Sequence, residues 1–428
     1  MKVFKFGGAS IKDAIAIKNV KNILENYQSE SLVIIVSAMG KMTNALEKVV
    51  DAYVNKTGET FDLFNEVKVK HQEIMQELFD PTDEIFAQVS DTFIEIEWVI
   101  EEEPMDPYDY IYDQIVSIGE MVSSKIVAAY LNKNNLSTQW LDARDMIATD
   151  NTYREGKIQW AETLKRGQEI VAPMVAKGGF VMTQGFLGGT SENFTTTLGR
   201  EGSDFSAAIF SYCLDAESMS IWKDVPGILT GDPRLFDAVS KIDRLSYKEA
   251  IEMTYYGAKV IHPKTIKPLQ NKNIPLYVKS FIDPKGEGTM IASDVETSYP
   301  PIVVVEPNQI LLHISTRDFS FVAEHHLSHL FGLFAQHRIK INMMQNMAIS
   351  FSVCVTDIPE RIENLIKDLE NDFKVIKEKG LELITIRHYK EFVLDTLLAD
   401  KMVLFEERIR NTVQFVVKEV PKMKRKES

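Results

Sequence analysis

The chain has 428 residues, which is long enough for two or three domains with separate cores. Its composition, 45% hydrophobic and 26% charged, is typical of a water-soluble folded protein. The formal net charge of −14 argues against nonspecific binding to nucleic acid or to an anionic membrane. No apolar run reaches the ~18 residues that a transmembrane helix needs.

The first predicted elements form a βαβ unit. Residues 2–6 are predicted to be a strand and residues 12–27 a helix, where apolar residues recur at helical spacing. The continuous apolar run over 31–38 is typical of a buried parallel strand. Because ligands of open α/β sheets bind beyond the carboxyl ends of the strands, the glycine-bearing loops after both strands are candidate ligand loops.

Residues 55–103 interrupt this pattern. They are rich in Glu, Lys, Phe and Ile at helical spacing, and we predict a helical insertion that ends before Pro104. The α/β pattern then resumes with a helix over 114–131 and strands over 179–183, 219–223 and 275–281.

A turn-rich stretch over 283–301 is the predicted domain boundary. The elements after it follow the order βαββαβ, a split βαβ module. Its strands are predicted over 309–315, 339–346, 349–356 and 381–387, and its helices over 322–337 and 359–370. A helix over 390–400 and strands near 402–418 are expected to belong to a second such module. The basic end from Lys422 to Lys426 is interpreted as a solvated tail.

Cys213 and Cys354 are the two cysteines of the sequence, and both have apolar neighbours. Buried, reduced thiols fit a cytoplasmic compartment. Met1 leads directly into the first strand, so no signal peptide is expected.

Lys5 is the first candidate functional residue, because it stands in an apolar strand just before Gly7 and Gly8. Glycines allow the backbone to approach a ligand closely, and a lysine can neutralise charge on a transferred phosphate. The alternative is an edge-strand lysine that faces solvent. The remaining motifs favour the phosphate role.

Polar residues after the second strand and on the 114–131 helix are further candidates. The hydroxyls of Ser37 and Thr43 suit a substrate carboxylate or phosphate, although Thr43 and Asn44 are equally suited to cap the next helix. Glu120 lies on a helix that is apolar on nearly all sides, so we expect a buried carboxylate that needs a cation. A substrate ammonium is favoured over a structural pair with an arginine or lysine.

The stretch TLGREGSD at 197–204 leads into a predicted helix. Free N–H groups at a helix start favour anions, and Arg200 can hold a carboxylate through two parallel hydrogen bonds. Asp204 can position Lys5 or act through a metal ion. The alternative for Ser203 and Asp204 is helix capping. Four residues of functional type within eight positions make a site the favoured interpretation.

Turns rich in Asp, Pro and Gly follow the strand at 219–223. They suit the base and ribose of a nucleotide, or are ordinary β-turns. This stretch carries Lys223, Asp224 and Arg234. Lys259, near a predicted helix, is either a second phosphate contact or a surface residue.

His325 and His329 are four residues apart on a predicted helix, a spacing that metal ligands use. No carboxylate or cysteine completes the set. Surface or interface histidines are therefore favoured, and no metal site of the protein's own is predicted.

Six ordered motifs resemble aspartate kinase, of the amino-acid kinase fold family. They are KFGGAS at 5–10, VSAMGKMTN at 36–44, GEMVSSK at 119–125, TLGREGSD at 197–204, WKDVPGILTGDPR at 222–234 and YGAKVIHP at 256–263. The resemblance implies an α/β catalytic domain over 1–285, a three-layer αβα sandwich with a mostly parallel central sheet. It also implies a regulatory region over 300–428 made of tandem α+β, ferredoxin-like ACT modules.

The resemblance also implies a reaction. The γ-phosphate of ATP, with Mg²⁺, passes to the side-chain carboxylate of L-aspartate and gives 4-phospho-L-aspartate, the first step of lysine, threonine and methionine synthesis. Lys5 matches the lysine that stabilises the transferred phosphate, and Asp204 matches the aspartate that organises the catalytic lysines. Positions around bound aspartate are matched by Ser37, Thr43, Glu120, Arg200 and Ser203. The nucleotide side is matched by Lys5, Gly7, Gly8, Lys223, Asp224, Leu229, Arg234, Lys259 and Val260.

Several departures from the family pattern affect these expectations. Glu201 replaces a glycine beside the anion site and is expected to weaken binding unless its side chain points away. Lys223 replaces a threonine or serine and can offset that charge, and Leu229 replaces an aromatic residue near the adenine. The segment 315–323 lacks the glycine usual in effector turns, so feedback inhibition by lysine or threonine rests on fold resemblance alone.

The sequence carries no later glycine-rich βαβ unit, so we expect a monofunctional kinase. Because ACT modules usually pair through their sheets, a homodimer or larger assembly is expected. One alternative is another amino-acid kinase-fold enzyme, which acts on glutamate, carbamate or a nucleotide. The other is a catalytically weak regulatory protein that binds an amino acid.

Overall fold

The computed structural model describes residues 1–258, 261–293, 295, 298–318 and 320–419. The strands up to residue 300 are β1 Lys2–Phe6, β2 Leu32–Val36, β3 Thr138–Leu141, β4 Phe180–Gln184, β5 Leu187–Gly189, β6 Thr195–Thr197, β7 Ser218–Lys223, β8 Ile228–Leu229, β9 Lys241–Ile242, β10 Arg244–Ser246, β11 Leu276–Ser280 and β12 Thr289–Ala292. The helices of the same stretch are α1 Ala14–Glu25, α2 Met42–Val54, α3 Thr60–Leu78, α4 Ile85–Glu101, α5 Tyr108–Val116, α6 Ile118–Lys133, α7 Ala143–Met146, α8 Trp160–Arg166, α9 Ala172–Ala176, α10 Gly202–Cys213, α11 Tyr247–Tyr255 and α12 Pro263–Asn271.

The remaining elements follow residue 300. The strands are β13 Ile302–Thr316, β14 Ile341–Asn346, β15 Ser350–Thr356, β16 Phe373–Arg387, β17 Lys401–Ile409 and β18 Thr412–Glu419. The helices are α13 Glu324–Gln336, α14 Pro359–Leu369 and α15 Glu391–Leu398. The predicted basic tail at 422–426 lies outside the described residues.

The chain folds into two compact units. The first lies within Met1–Ile228, Lys241–Ile251 and Val260–Thr297, and the second lies within Leu229–Ser240, Glu252–Lys259 and Ser298–Ser428. Residues 229–240 and 252–258 therefore cluster with the second unit, although the sequence places them ahead of the boundary expected near 285.

An eight-stranded sheet forms the centre of the first unit, in the order β10-β12-β11-β7-β1-β2-β4-β3. All its pairs are parallel except β11–β12. β1 lies between β2 and β7, and every residue of β2 is buried. The apolar run of β2 is thus that of a strand covered on both faces, as predicted.

The helical insertion consists of α3 and α4, as the sequence predicts for residues 55–103. The single helix expected over 114–131 is instead two helices, because α5 ends at Val116 and α6 begins at Ile118. The hydroxyl of Ser117, at the break, donates to the carbonyl oxygen of Gln114 at 3.0 Å. Serine competes in this way with the regular helix bonds. The break places Glu120 in the first turn of α6.

The second unit contains a six-stranded antiparallel sheet in the order β14-β15-β13-β16-β18-β17. β13 and β16 are 15 residues long, so the strands predicted over 309–315 and 381–387 are parts of longer ones. The register of β13 shifts between Glu306 and Gln309, at Pro307, which has no N–H to donate. The order β14-β15-β13-β16 on one side is repeated as β17-β18-β16-β13 on the other, so two modules share both long strands.

Helices cover this sheet through alternating apolar residues. Ile310, Leu312 and Ile314 of β13 belong to one buried cluster with residues of α13 and α14. Leu311, the residue between two of them, belongs to a different cluster, as expected when successive side chains point to opposite faces. Among the described residues, every helix is too short or too polar to span a bilayer.

Candidate active site

Lys5 and Asp204 form a buried ion pair in the first unit. Lys5 is in register with Ile35 of β2 and Ile221 of β7, at the centre of the sheet. Its Nζ lies 2.6 Å from Oδ1 of Asp204, which stands in the first turn of α10, and both side chains are largely buried. The solvent-facing alternative for Lys5 is therefore wrong.

The carboxylate of Asp204 is held in its ionised form by its neighbours. Burial alone raises its pKa, but the charges of Lys5 and Lys223 outweigh this effect and hold the pKa below its ordinary value. Lys223, at the end of β7, thus acts on the same carboxylate as Lys5. The two lysines and Asp204 form one charged cluster at the carboxyl ends of β1 and β7.

Two glycine-bearing loops meet beside this cluster. A Cβ atom at Gly8 would lie 2.7 Å from the carbonyl oxygen of Ala38, and the Gly40 N–H donates to the carbonyl oxygen of Gly8 at 3.0 Å. A Cβ atom at Gly7 would lie 3.4 Å from Nζ of Lys5. Only glycine fits at position 8 without moving backbone, so the loops after β1 and β2 pack directly against each other.

Glu120 is buried and has one carboxylate oxygen without a partner. Its Oε1 accepts a hydrogen bond from the Ala38 N–H at 3.1 Å, whereas Oε2 has no partner among the described residues. Burial raises the pKa of Glu120 to about 8, although the Ala38 N–H and the charge of Lys5 act in the opposite direction. No described basic group pairs with Glu120, so the structural ion pair is not formed and the carboxylate remains available to a ligand cation.

Ser37 is linked to the Glu120 turn through Ser123. The carbonyl oxygen of Ser37 accepts a hydrogen bond from Oγ of Ser123 at 2.7 Å. Thr43 lies inside the first turn of α2, whose N-cap position is Lys41, so neither Thr43 nor Asn44 caps this helix. Ser123 is fully buried one turn after Glu120, and the sequence analysis did not single it out. The sequence feature that could have identified Ser123 is a small polar residue on a helix that is apolar on nearly all sides.

Comparison with known proteins shows the family of the chain. The amino acid kinase family matches residues 1–280 of the chain. Lysine-sensitive aspartokinase 3 of Escherichia coli (strain K12) is 29% identical over 90% of this chain and 86% of its own length. Aspartokinase 1, chloroplastic, of Arabidopsis thaliana is 30% identical over 90% of this chain and 70% of its own length. This chain belongs to the aspartokinases of the amino acid kinase family.

Solved structures extend the similarity to the whole fold. The structure of E. coli aspartokinase III in complex with aspartate and ADP, its R-state, matches 98% of this chain and 96% of that one with a TM-score of 0.81 and 26% identity. The same enzyme in complex with lysine and aspartate, its T-state, matches with a TM-score of 0.83 and 26% identity over the same shares.

In this aspartokinase, the loop before α10 departs from the family's usual glycine. Glu201 is the N-cap residue of α10 and has a left-handed backbone with φ of 55°. A side chain in this conformation is strained by about 1 kcal/mol. Its carboxylate accepts a hydrogen bond from the backbone N–H of His262, just before α12. Glu201 therefore bonds to the start of another helix, a favourable place for a negative charge.

The other residues of this loop are divided between surface and interior. Arg200 is exposed, whereas Ser203 and Asp204 are buried within the first turn of α10. Neither provides a side-chain cap, so the capping alternative for them is wrong. A Cβ atom at Gly185 would lie 2.5 Å from that of Ser203, so the absence of a side chain at position 185 allows Ser203 its place.

The described members of the predicted nucleotide set are divided between the two units. Lys223 lies beside Asp204 as described, and Asp224 is exposed directly after it. Leu229 and Arg234 belong to the second unit, where exposed Arg234 forms a two-pronged pair with Asp232 at 2.6 and 3.0 Å. Lys259 and Val260 lie outside the described residues.

The histidines of α13 have partners other than a metal. Nε2 of His329 lies 3.2 Å from a carboxylate oxygen of Asp372, and the rings of His325 and His326 lie at 42° to each other with centroids 3.9 Å apart. Within the described ranges, no group of three or more His, Cys, Asp or Glu side chains is placed to hold a metal ion.

Asp113 fixes the segment that leads into the 197–204 loop. Its carboxylate accepts hydrogen bonds from the Arg154 N–H at 2.8 Å, the Thr197 N–H at 2.9 Å and the Thr197 hydroxyl at 2.6 Å. The side chain is fully buried, and burial raises its pKa to about 6 against these three bonds. Asp113 thereby joins α5 to the end of β6, where the 197–204 loop begins.

We expect Asp113→Asn to lower the free energy of unfolding by about 2–3 kcal/mol, because the amide presents N–H groups where the carboxylate accepts three bonds. Urea unfolding followed by circular dichroism measures this change. Asp109→Asn, on the exposed side of the same helix, is the matched control and should change stability by less than about 0.5 kcal/mol. Equal effects of the two substitutions would contradict the role assigned to Asp113.

Proposed function

We propose that the first unit transfers the γ-phosphate of ATP to the side-chain carboxylate of L-aspartate, as expected of a member of the aspartokinases. The observation that carries the proposal is the buried carboxylate of Glu120, one oxygen of which has no partner in the part of the chain that the structure describes, within the electrostatic influence of Lys5, which pairs with Asp204. A buried acid without an internal cation suits a ligand ammonium. A fixed lysine at the same end of the sheet suits a transferred phosphate.

Charge neutralisation and placement are the main requirements of this reaction. The acceptor carboxylate is ionised at neutral pH, so no general base is needed to activate it. Lys5, fixed by Asp204, draws charge from the phosphoryl group as it passes between two anions. The glycine loops at Gly7, Gly8 and Gly40 let backbone N–H groups approach the phosphates.

The ammonium and the α-carboxylate of aspartate each have a candidate partner in this chain. We assign Glu120 to the ammonium and Arg200 to the α-carboxylate, with Ser37, Thr43 and Ser203 around the bound substrate. The exposed Arg200 is free to move onto a ligand, since no ion pair holds it among the described residues. Binding at both ends would direct the side-chain carboxylate towards Lys5.

The nucleotide is assigned to the side of Lys223. Lys223, Asp224, Leu229, Arg234, Lys259 and Val260 remain the proposed contacts. When bound, Mg²⁺ supplies positive charge to the nucleotide phosphates, and it commonly takes one or two protein carboxylates together with phosphate oxygens and water. The ionised carboxylate of Asp204 is the donor in the described cluster that fits this ion.

The second unit is proposed to be regulatory, with lysine or threonine as effector. E. coli aspartokinase III, of similar fold, has been solved with lysine. Homodimer formation is proposed as well, because β14 is an edge strand and the exposed apolar side chains of Met344, Met347 and Ile349 lie in or directly after it. The cytoplasm is the proposed compartment, since Cys213 and Cys354 are buried free thiols.

Acceptor profiling tests the proposal. ADP release from MgATP is measured with aspartate, glutamate, carbamate and UMP as acceptors, and then with aspartate while lysine and threonine are added in turn. We expect turnover with aspartate alone, and its inhibition by lysine or threonine. Turnover with a different acceptor would refute the assigned substrate. Turnover that neither amino acid changes would refute the regulatory part only.

A further inference from the structure

A second cavity lies on the face of the central sheet opposite Lys5. It has a volume of about 580 Å³ and is bounded by β1, β7, β11, β12 and β10. Phe4 lines it, whereas Lys5 is the next residue along β1. Because successive residues of a strand point to opposite faces, the cavity and the Lys5–Asp204 pair are separated by the sheet itself.

Two serines form the floor of this cavity. Ser218 and Ser220 both stand on β7, two residues apart and hence on one face. They are 9% and 4% exposed, and neither hydroxyl has a hydrogen-bond partner among the described residues. Neither hydroxyl oxygen is fully enclosed, so both open into the cavity, where they are available to hydrogen-bond a polar ligand.

Aromatic and apolar side chains form the walls. Tyr27 packs edge-on against Phe4 with ring centroids 4.8 Å apart, and Tyr277 and Met290 stand on β11 and β12. Strand pairing aligns Ser220 with Tyr277, Tyr277 with Met290, and Met290 with Arg244. The cavity therefore extends roughly 14 Å across the strands from Ser220 to Arg244. Such walls suit a planar ring.

Three basic residues surround the opening. Lys2 pairs with Glu30 at 2.5 Å, but Lys279 and Arg244 have no carboxylate within ion-pairing distance among the described residues. The half-buried ammonium of Lys279 lies over the Trp222 ring, and its pKa is lowered by burial and by the charge of Lys2. A bound anion would stabilise the charged form of this side chain.

Acidic groups at the rim oppose an anion only in part. Asp243 lines the cavity and is paired at 2.7 Å with Lys241, which does not line it. Glu287 is exposed, and its charge raises the pKa of Lys279. Lys279 and Arg244 together outnumber the charge of Glu287. This excess is local, since the whole chain carries −14.

We propose that this cavity is a second ligand site, which binds a compact aromatic anion of the nucleoside monophosphate class. Lys279 and Arg244 hold the phosphate, Tyr27 and Tyr277 flank the ring, and the hydroxyls of Ser218 and Ser220 bind its polar edge or the ribose. The site is independent of phosphoryl transfer, because it lies on the other face of the sheet.

Calorimetric titration with AMP tests the proposal, in the presence of saturating ADP and aspartate to occupy the catalytic site. We expect one saturable site per chain. Arg244→Glu and Lys279→Glu should each weaken AMP binding tenfold or more, the usual loss when a charged hydrogen bond is replaced by repulsion. Glu287→Gln should strengthen it several-fold. Ser220→Leu should abolish it by filling the floor.

Lys177→Glu is the matched control, because it makes the same charge change at an exposed position distant in sequence from every lining residue. Lys177→Glu should leave the affinity for AMP within twofold of that of the unmodified protein. Arg244→Glu should leave aspartate kinase turnover intact, because the cavity lies on the other face of the sheet. Absence of AMP binding, or equal weakening by Lys177→Glu, would overturn the proposal. Inorganic phosphate that binds as tightly as AMP would refute recognition of the ring.

Discussion

Substitution of Lys5 by methionine is expected to lower kcat for aspartate phosphorylation about 100- to 1,000-fold, the usual loss when one electrostatic contact to a transition state is removed. Methionine keeps most of the length of the side chain and removes the ammonium group with its charge. The measurement is steady-state release of ADP at saturating MgATP and aspartate.

Loss of stability is a competing explanation, because Lys5→Met removes the direct ion-pair partner of buried Asp204 and leaves only the charge of Lys223 near it. Breaking a buried pair in this way costs about 3–5 kcal/mol. The double variant Lys5→Met/Asp204→Leu removes both charges and should recover most of that stability, as measured by urea unfolding, without recovering turnover.

Lys2→Met is the matched control on the same strand. Lys2 is three residues before Lys5 and therefore on the opposite face of β1, where it pairs with Glu30. We expect its turnover to remain within about twofold of the unmodified enzyme. If Lys5→Met retained full turnover, or if the double variant regained it, Lys5 would have no part in the transfer.

Glu120→Gln is expected to raise KM for aspartate about 10- to 100-fold, the cost of losing a charge-assisted hydrogen bond to the ammonium. Succinate, which has the two carboxylates but no ammonium, provides a substrate control. The unmodified enzyme should discriminate strongly between aspartate and succinate, and Glu120→Gln should lose most of that discrimination. Equal discrimination by both proteins would refute the contact with the ammonium.

The pH dependence of KM gives a second test of Glu120. Its pKa of about 8 means that the carboxyl group of the empty site is mostly protonated at pH 7. Because the ammonium binds to the ionised form, KM for aspartate should fall roughly tenfold per unit as the pH rises from 6 to 8 and then level off. In Glu120→Gln this dependence should disappear. A flat profile in the unmodified enzyme would contradict the assignment.

The free energy of unfolding shows whether the raised KM of Glu120→Gln comes from a lost ligand contact or from misfolding. The folded-state pKa of Glu120 is raised above its ordinary value, so the free energy of unfolding falls as the pH rises from about 4.5 to about 8 and levels off above that. Glu120→Gln should therefore be at least as stable as the unmodified protein at pH 9. A variant that binds aspartate poorly and yet resists unfolding has lost a ligand contact.

Local patterns in the sequence were sufficient for the main elements. The apolar run of β2 and the helical spacing of α3 and α4 gave correct predictions, because burial on two faces or on one helical face imposes a recognisable period. The break at Ser117 and the 15-residue strands β13 and β16 were missed. Their boundaries depend on one serine hydroxyl and on pairing with distant strands.

For the candidate site, the sequence by itself determined which side chains are available: Lys5, Glu120 and Asp204 were identified from glycine loops and from a charge in an apolar helix. Only the tertiary structure decided their partners, since Lys5 and Asp204 are separated by almost two hundred residues and meet only when α10 packs on the sheet. It also decided that Glu120 pairs with no cation among the described residues, and that Glu201 bonds to His262. Motifs record side-chain chemistry, whereas burial and ion pairing arise from contacts between segments distant in the chain.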